Sequence, residues 1–245
     1  MLYKAEILAI CPQADLKIVD AIVSEGHKGA WERFGVTTPI AQAKFMGQII
    51  HESANLTRVE ENLRYSAKRL CQVWPKRFPN LAAAQPYANN PQSLANKVYG
   101  NRLGNIAAGD GYKFRGRGLK QTTGLYNYVR VGMRLGLNLI ANPDLLLQPD
   151  YAFLSALSFW QDNIGTKGES ASVKEITKIV NGGYNGLNER QLVTERALDI
   201  LDTRRIKQRE LEIGNKGNDV RLLQAELVEL GYKIAIDGSF GKKNS

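Results

Sequence analysis

The stretch from Phe45 to Tyr65, FMGQIIHESANLTRVEENLRY, constrains the fold more than any other in the chain. Thr38 supplies an N-cap and Pro39 the first helical position, so the helix entering this stretch has a marked start and is expected to run to about Ala54. On the helical period Phe45, Ile49 and Glu52 fall on one side, which turns a carboxylate toward the packing residues. A charge seldom sits there without a partner. Two readings stand side by side: a carboxylate that caps a backbone segment or pairs with an arginine, and one that carries chemistry. Glu61, on a short polar connection just beyond, supplies a second carboxylate and favours chemistry.

A chain of 245 residues can bury one sizeable core and carry a small extra module. Its apolar runs are too short for a membrane span, and MLYKAEILAICPQADLK places charged and polar residues where a signal peptide needs an unbroken apolar core, so a cytosolic product is expected. Cys11 and Cys71 lie far apart without a CxxC or Cys/His spacing, which argues against a disulfide framework or a zinc site. HESAN resembles the start of HExxH, but the position four after His51 is Asn55, so the second zinc ligand is missing. The formal net charge of +9 favours an anionic partner: nucleic acid, an anionic membrane face or a cell-wall polymer. The basic residues are scattered, without the aromatic interleaving of an RNA-binding sheet or an evident recognition helix, so nucleic acid is disfavoured.

Along the chain the periodicities are helical. Leu16, Ile18, Val19, Ile22 and Val23 predict a buttress helix, and GHKGAWERFGV reads as a loop with a packed aromatic. Ser66 opens a helical run that Pro75 stops, and Asn90 caps another from Pro91 to Tyr99. GNRLGNIAAGDGY is too rich in Gly and Asn to be one regular element, and KFRGRGLKQTTGLYNY suggests short extended pieces with tight backbone approach. Helices are expected over 126–137, over 150–163 as the central buried helix, over 173–180 behind a Ser172–Glu175 capping box, and from Leu187 to about Arg205. A first domain over 1–206, a linker over 207–214 and a small terminal segment over 215–245 follow, the last with Val220, Leu223, Leu227 and Leu230 on one helical stripe.

Five blocks, FMGQIIHES, ENLRYSAKRL, ANKVYGNRLGN, DGYKFRGRGLKQTTGLYNY and VNGGYNGLNER, occur in an order that resembles glycoside hydrolase family 19, the chitinase-type fold, in the form used by bacteriophage and prophage endolysins. The resemblance covers most of residues 35–205 and implies a mainly α, two-lobed lysozyme-like fold with a minor short-strand region and a small helical C-terminal segment. It implies Glu52 as general acid, Glu61 as general base with Glu60 as its rival, and Thr123 as the hydroxyl that positions water. Substrate contacts fall on Gln121, Asn127, Tyr112, Asn181 and an arginine after NGG, for which Arg196 is preferred to Arg190. GNKGNDVRLLQAELVELGYKIAIDGSFG resembles part of a peptidoglycan-binding repeat, which would continue into a further helix where this chain has GKKNS. An amphipathic helix packed on the main domain is the competing reading of that segment.

The chemistry agrees with the two carboxyl roles. Breaking a β-glycosidic bond needs one protonated carboxyl for the leaving oxygen and one ionised carboxylate for water, about 6.5–9.5 Å apart when configuration inverts. An apolar helix face favours the protonated form of a carboxyl, and a loop favours the ionised form. The expected activity is inverting hydrolysis of the β-1,4 bond between N-acetylmuramic acid and N-acetylglucosamine, by a monomer without cofactor or metal and without membrane insertion. The protein would be held in the host cytoplasm until a holin releases it to the wall. A chitinase is the alternative within the class, and a non-catalytic wall-binding protein the alternative outside it.

Overall fold

The computed structural model describes residues 2–203, 211 and 213–241. The chain divides into two compact units, one formed by 1–58 together with 156–245 and the other by 59–155. Among the described residues the regular structure is helical, and strand pairing is limited to isolated bridges.

The first unit contains α1 (Lys4–Ile10), α2 (Leu16–Val23), α3 (Lys28–Arg33) and α4 (Pro39–Glu52). The second carries α5 (Ala67–Val73), α6 (Leu81–Ala84), α7 (Pro91–Tyr99), α8 (Asp110–Lys113) and α9 (Leu125–Leu135). The second boundary falls within α10 (Pro149–Asn163), and α11 (Lys167–Ser170), α12 (Val173–Asn181), α13 (Leu187–Thr203) and α14 (Asn218–Glu229) complete the first unit.

In the first unit α4 starts where the sequence places it, with the Thr38 hydroxyl accepting from Ala41 N at 3.3 Å. Every residue from Ala41 to Ile50 is buried, so α4 is enclosed all round, where a single apolar face was expected. Phe45 meets Trp31 and Trp160 edge to face, with ring centroids 5.6 and 5.5 Å away. Trp31 arrives on α3, within the stretch expected to be a loop. Its burial gives a short helix the anchor that its sequence propensity lacks. α13 packs along α4, and Gly47 sets how close it comes. A Cβ on Gly47 would lie 2.2 Å from Thr194 Oγ1 and 2.9 Å from the Arg190 carbonyl oxygen.

α14 packs on α1 and α13, burying Val220, Leu222 and Ala225. Gln224 ties the following turn back to the helix, donating to Asp237 Oδ1 at 2.9 Å and accepting from Gly238 N at 2.8 Å. Of the linker expected over 207–214, residues 207–210 and 212 lie outside the described residues.

In the second unit one apolar cluster, including Leu63, Leu70, Phe78 and Leu94, lies among α5–α7, and another joins Phe114, Tyr128, Val131, Leu139 and Leu146 around α9. The long Gly- and Asn-rich loop is pinned by buried Asn105. Its Nδ2 donates to Tyr99 O at the end of α7 (3.0 Å), and its Oδ1 accepts from Leu125 N at the start of α9 (2.9 Å). The expected short extended pieces are two bridges, Glu60 to Arg117 and Arg117 to Thr122.

Two measurements follow from this packing. Leu222→Ala should lower the unfolding free energy by about 2–4 kcal/mol in urea titrations, with one cooperative transition; a separate transition for the terminal segment would show that α14 is not part of the core. At the start of α12, Glu175 accepts from the Ser172 hydroxyl and N–H, which hold its carboxyl below the usual range. As pH falls the unfolded chain takes up that proton first, so the cap's contribution is full above the ordinary glutamate range and is lost through the lowered value. Ser172→Ala should therefore lose more stability relative to the parent near neutral pH than in acid, where only the hydroxyl's bond from Glu175 N still separates the two.

Candidate active site

The first unit supplies Glu52, the last residue of α4. Its Oε1 accepts from Arg190 Nη2, and the same guanidinium donates from Nη1 to Gln48 Oε1 at 2.6 Å and from Nε to Asn185 O at 3.2 Å. Arg190 has no exposed surface, so these acceptors replace water around its charge. Arg190 lies in the first turn of α13, whose approach to α4 depends on Gly47.

The two candidate arginines have different surroundings. Arg196, preferred from sequence as the substrate contact, donates from Nη1 to Ile10 O at 2.9 Å and ties α13 to the end of α1. The two arginines are six positions apart on one helix, and only the packing of α13 tells which one meets Glu52. Asn181 is exposed at the end of α12, with its Oδ1 over the Gly-rich turn that leads into α13.

The second unit brings together the other half of the predicted set. Glu61 Oε2 accepts from the Tyr99 hydroxyl at 2.6 Å, and Oε1 accepts from Gly116 N at 2.5 Å. Glu61 N donates to Gly116 O at 3.0 Å, so carboxylate and backbone grip one residue. A Cβ on Gly116 would lie 3.0 Å from Gln121 Oε1 and 3.2 Å from both Glu61 Oε1 and Thr123 Oγ1. Three polar atoms therefore converge on the bare α-carbon of Gly116. Gln121 and Thr123 reach it through a tight turn closed by paired hydrogen bonds between Arg117 and Thr122 (2.7 and 3.1 Å). Gln121 is held at φ +58°, a conformation uncommon outside glycine and found at functional sites.

The remaining predicted residues act on this cluster from its edge. Asn127 Nδ2 donates to Thr123 O at 2.7 Å and so steadies the turn. Tyr112 stacks under Arg115, whose guanidinium carbon lies 4.2 Å from the ring centroid. Arg115 in turn holds Glu60 Oε1 with Nε at 2.6 Å and Nη2 at 2.5 Å, which engages the rival carboxylate in an ion pair. Tyr99 was not singled out from sequence, although it lies in the ANKVYGNRLGN block. Burial, with the charge of Glu61 second, pushes its hydroxyl well above the usual tyrosine range, so Tyr99 stays a proton-bearing donor. Behind the turn Tyr128 is pushed up to about 12 by burial, against the opposing pull of Arg117.

The chain is similar to several known proteins. The family described as Chitinase class I matches residues 42–178. A glycosyl hydrolase family 19 domain-containing protein of Haemophilus influenzae is 39% identical over 161 residues, which cover 65% of this chain and 79% of that protein. Basic endochitinase CHB4 of Brassica napus is 36% identical over 91 residues, 35% of this chain and 33% of the plant enzyme, so the chain matches about a third of its length. The crystal structure of chitinase C from Streptomyces griseus HUT6037 superposes with a TM-score of 0.55 at 18% identity, over 82% of this chain and 92% of that one. At that identity the likeness speaks for the fold.

The buried guanidinium makes the choice of variant matter. Glu52→Ala should cost about 3 kcal/mol or more in chemical denaturation, because it strips an acceptor from the buried Arg190 guanidinium. Glu52→Gln keeps an amide oxygen in reach and should cost clearly less; equal losses in the two variants would show that the contact contributes little.

Proposed function

The chain belongs to glycoside hydrolase family 19, and on that premise we propose that it cleaves the β-1,4 bond between N-acetylmuramic acid and N-acetylglucosamine in peptidoglycan with inversion. A glycoside hydrolase of this family acts on a polysaccharide. Glu52 gives its proton to the leaving glycosidic oxygen as the C–O bond breaks, and Glu61 takes a proton from the water whose oxygen bonds to the anomeric carbon. Thr123 and Gln121 orient that water and the sugar. The observation that carries these roles is the convergence of Glu61, Gln121 and Thr123 on Gly116. Arg190 is the positioning residue of the acid, and Glu60, engaged by Arg115, is left out of the reaction.

Peptidoglycan is favoured by charge. Bacterial walls carry anionic polymers and chitin is neutral, so a net charge of +9 assists only the first encounter. The resemblance of the terminal segment to a peptidoglycan-binding repeat points the same way. In this reading the protein is a monomeric phage-type endolysin that collects in the host cytoplasm and reaches the wall once a holin opens the membrane. No helix among the described residues is long and apolar enough to cross a membrane by itself. Chitin hydrolysis is the second reading, supported by the plant and Streptomyces chitinases that the chain resembles.

Purified protein incubated with sacculi and, separately, with chitin oligomers should release new reducing ends from sacculi, identified by mass, with the inverted anomer seen first by NMR. Release from chitin alone would establish the second reading, and release from neither would leave only binding. Glu52→Gln and Glu61→Gln should each lower kcat by about 10²–10⁴ while glycan binding persists. Tyr99→Phe, which removes one hydrogen bond to a charged group, should lower it about tenfold.

A further inference from the structure

α4 and α13 are joined by a second contact that the proposed reaction does not use. His51 Nδ1 lies 2.6 Å from Glu189 Oε2, one position before the Glu52 to Arg190 pair on each helix. The last two residues of α4 thus bond to two consecutive residues in the first turn of α13. A carboxylate only accepts, so Nδ1 is the donor in this contact.

The imidazole has a third neighbour. A Cβ on Gly186 would come 2.1 Å from Cε1, 2.3 Å from Nε2 and 2.7 Å from Nδ1 of His51, so the ring fills the space a side chain at 186 would need. Gly186 also has φ +70°, which disfavours other residues independently. The segment beneath the ring is the one that holds Arg190: Gly186 O accepts from Arg190 N at 3.0 Å, and Asn185 O accepts from its Nε. His51 therefore presses on the backbone that grips one side of the guanidinium, while Glu52 and Gln48 occupy its other nitrogens.

We propose that His51 and Glu189 are positioning residues, which fix residues 185–190 so that Arg190 holds the Glu52 carboxyl in one orientation. The inference rests on Glu52 being the acid. Neither His51 nor Glu189 touches the reacting atoms; they act through Arg190. A side chain that only tethered two helices would change stability and leave kcat alone.

The test compares full-length His51→Ala, His51→Asn and Glu189→Gln with the parent on one glycan, with melting temperatures measured alongside. Asn places an amide nitrogen near the position of Nδ1 and can keep the bond to Glu189. His51→Ala should lower kcat about tenfold or more with KM within about twofold, and His51→Asn should recover most of the loss. In an Arg190→Lys background, His51→Ala should cost little further, because both changes disable the same contact. The 15N-resolved Nε–H signal of Arg190 should be sharp in the parent and in His51→Asn, and broadened in His51→Ala. Parental kcat in His51→Ala, an unchanged Arg190 signal, or full additivity with Arg190→Lys would overturn the proposal. Full activity of Glu52→Gln would remove the acid assignment itself, while the Arg190 signal would still decide whether His51 holds that segment.

Discussion

A guanidinium with no exposed surface has to find acceptors inside the protein, and the arrangement around Arg190 follows from that need. Gln48, Glu52 and the carbonyl of Asn185 divide its donors among α4 and the turn before α13. They can do so only because Gly47 lets α13 settle against α4 with a backbone carbonyl and a threonine hydroxyl where a side chain would otherwise stand. The orientation of Glu52 is thus set by helix packing. A carboxylate at a helix end would otherwise be free to turn toward solvent.

Glu61 is restrained by different means. Its direct partners are neutral donors, the Tyr99 hydroxyl and the Gly116 N–H, with a backbone bond from Glu61 itself closing the grip. A cation does stand next to Gly116 in sequence, but Arg115 is engaged by Glu60 and stacked on Tyr112. The two carboxyl groups are therefore distinguished by the company they keep: Glu52 is anchored by a fixed charge, Glu61 by dipoles that cost little to preorganise. The glycine-rich stretch after Lys113 holds Glu61 because its backbone can come within hydrogen-bonding distance of a carboxylate, which a side chain at Gly116 would obstruct.

How much of this could be read from sequence depends on whether the cause was local. Thr38 with Pro39, Asn90 before α7 and the Ser172–Glu175 box act within one turn of chain, and those helix starts were legible. The gathering of Glu61, Gln121 and Thr123 at one place was foreshadowed by the order of the motif blocks. α1 was not, since its acidic Glu6, read only as an interruption of an apolar run, accepts from Tyr3 N and helps start the helix. The helix at Trp31 depends on distant aromatic partners, Arg190 versus Arg196 on which face of α13 meets α4, and the use of Asn127's amide on Thr123 on a fold of the chain that no spacing shows. The expected strands shrink to bridges because the turn from Arg117 to Thr122 is closed by only one mutual pair of hydrogen bonds.

The division of the chain also bears on the order in which it can fold. The second unit is one uninterrupted stretch, so its clusters can form as soon as residue 155 is available. The first is made of two stretches with the whole of the other unit between them, and its central contact joins residues 138 apart. Closing so long a loop is entropically costly and slow relative to local packing. During synthesis the unit that carries Glu61 is therefore the early folding element, and α4, with its largely apolar surface from Ala41 to Ile50, has to wait for α13. Over that interval α4 is a segment exposed to aggregation or chaperone capture.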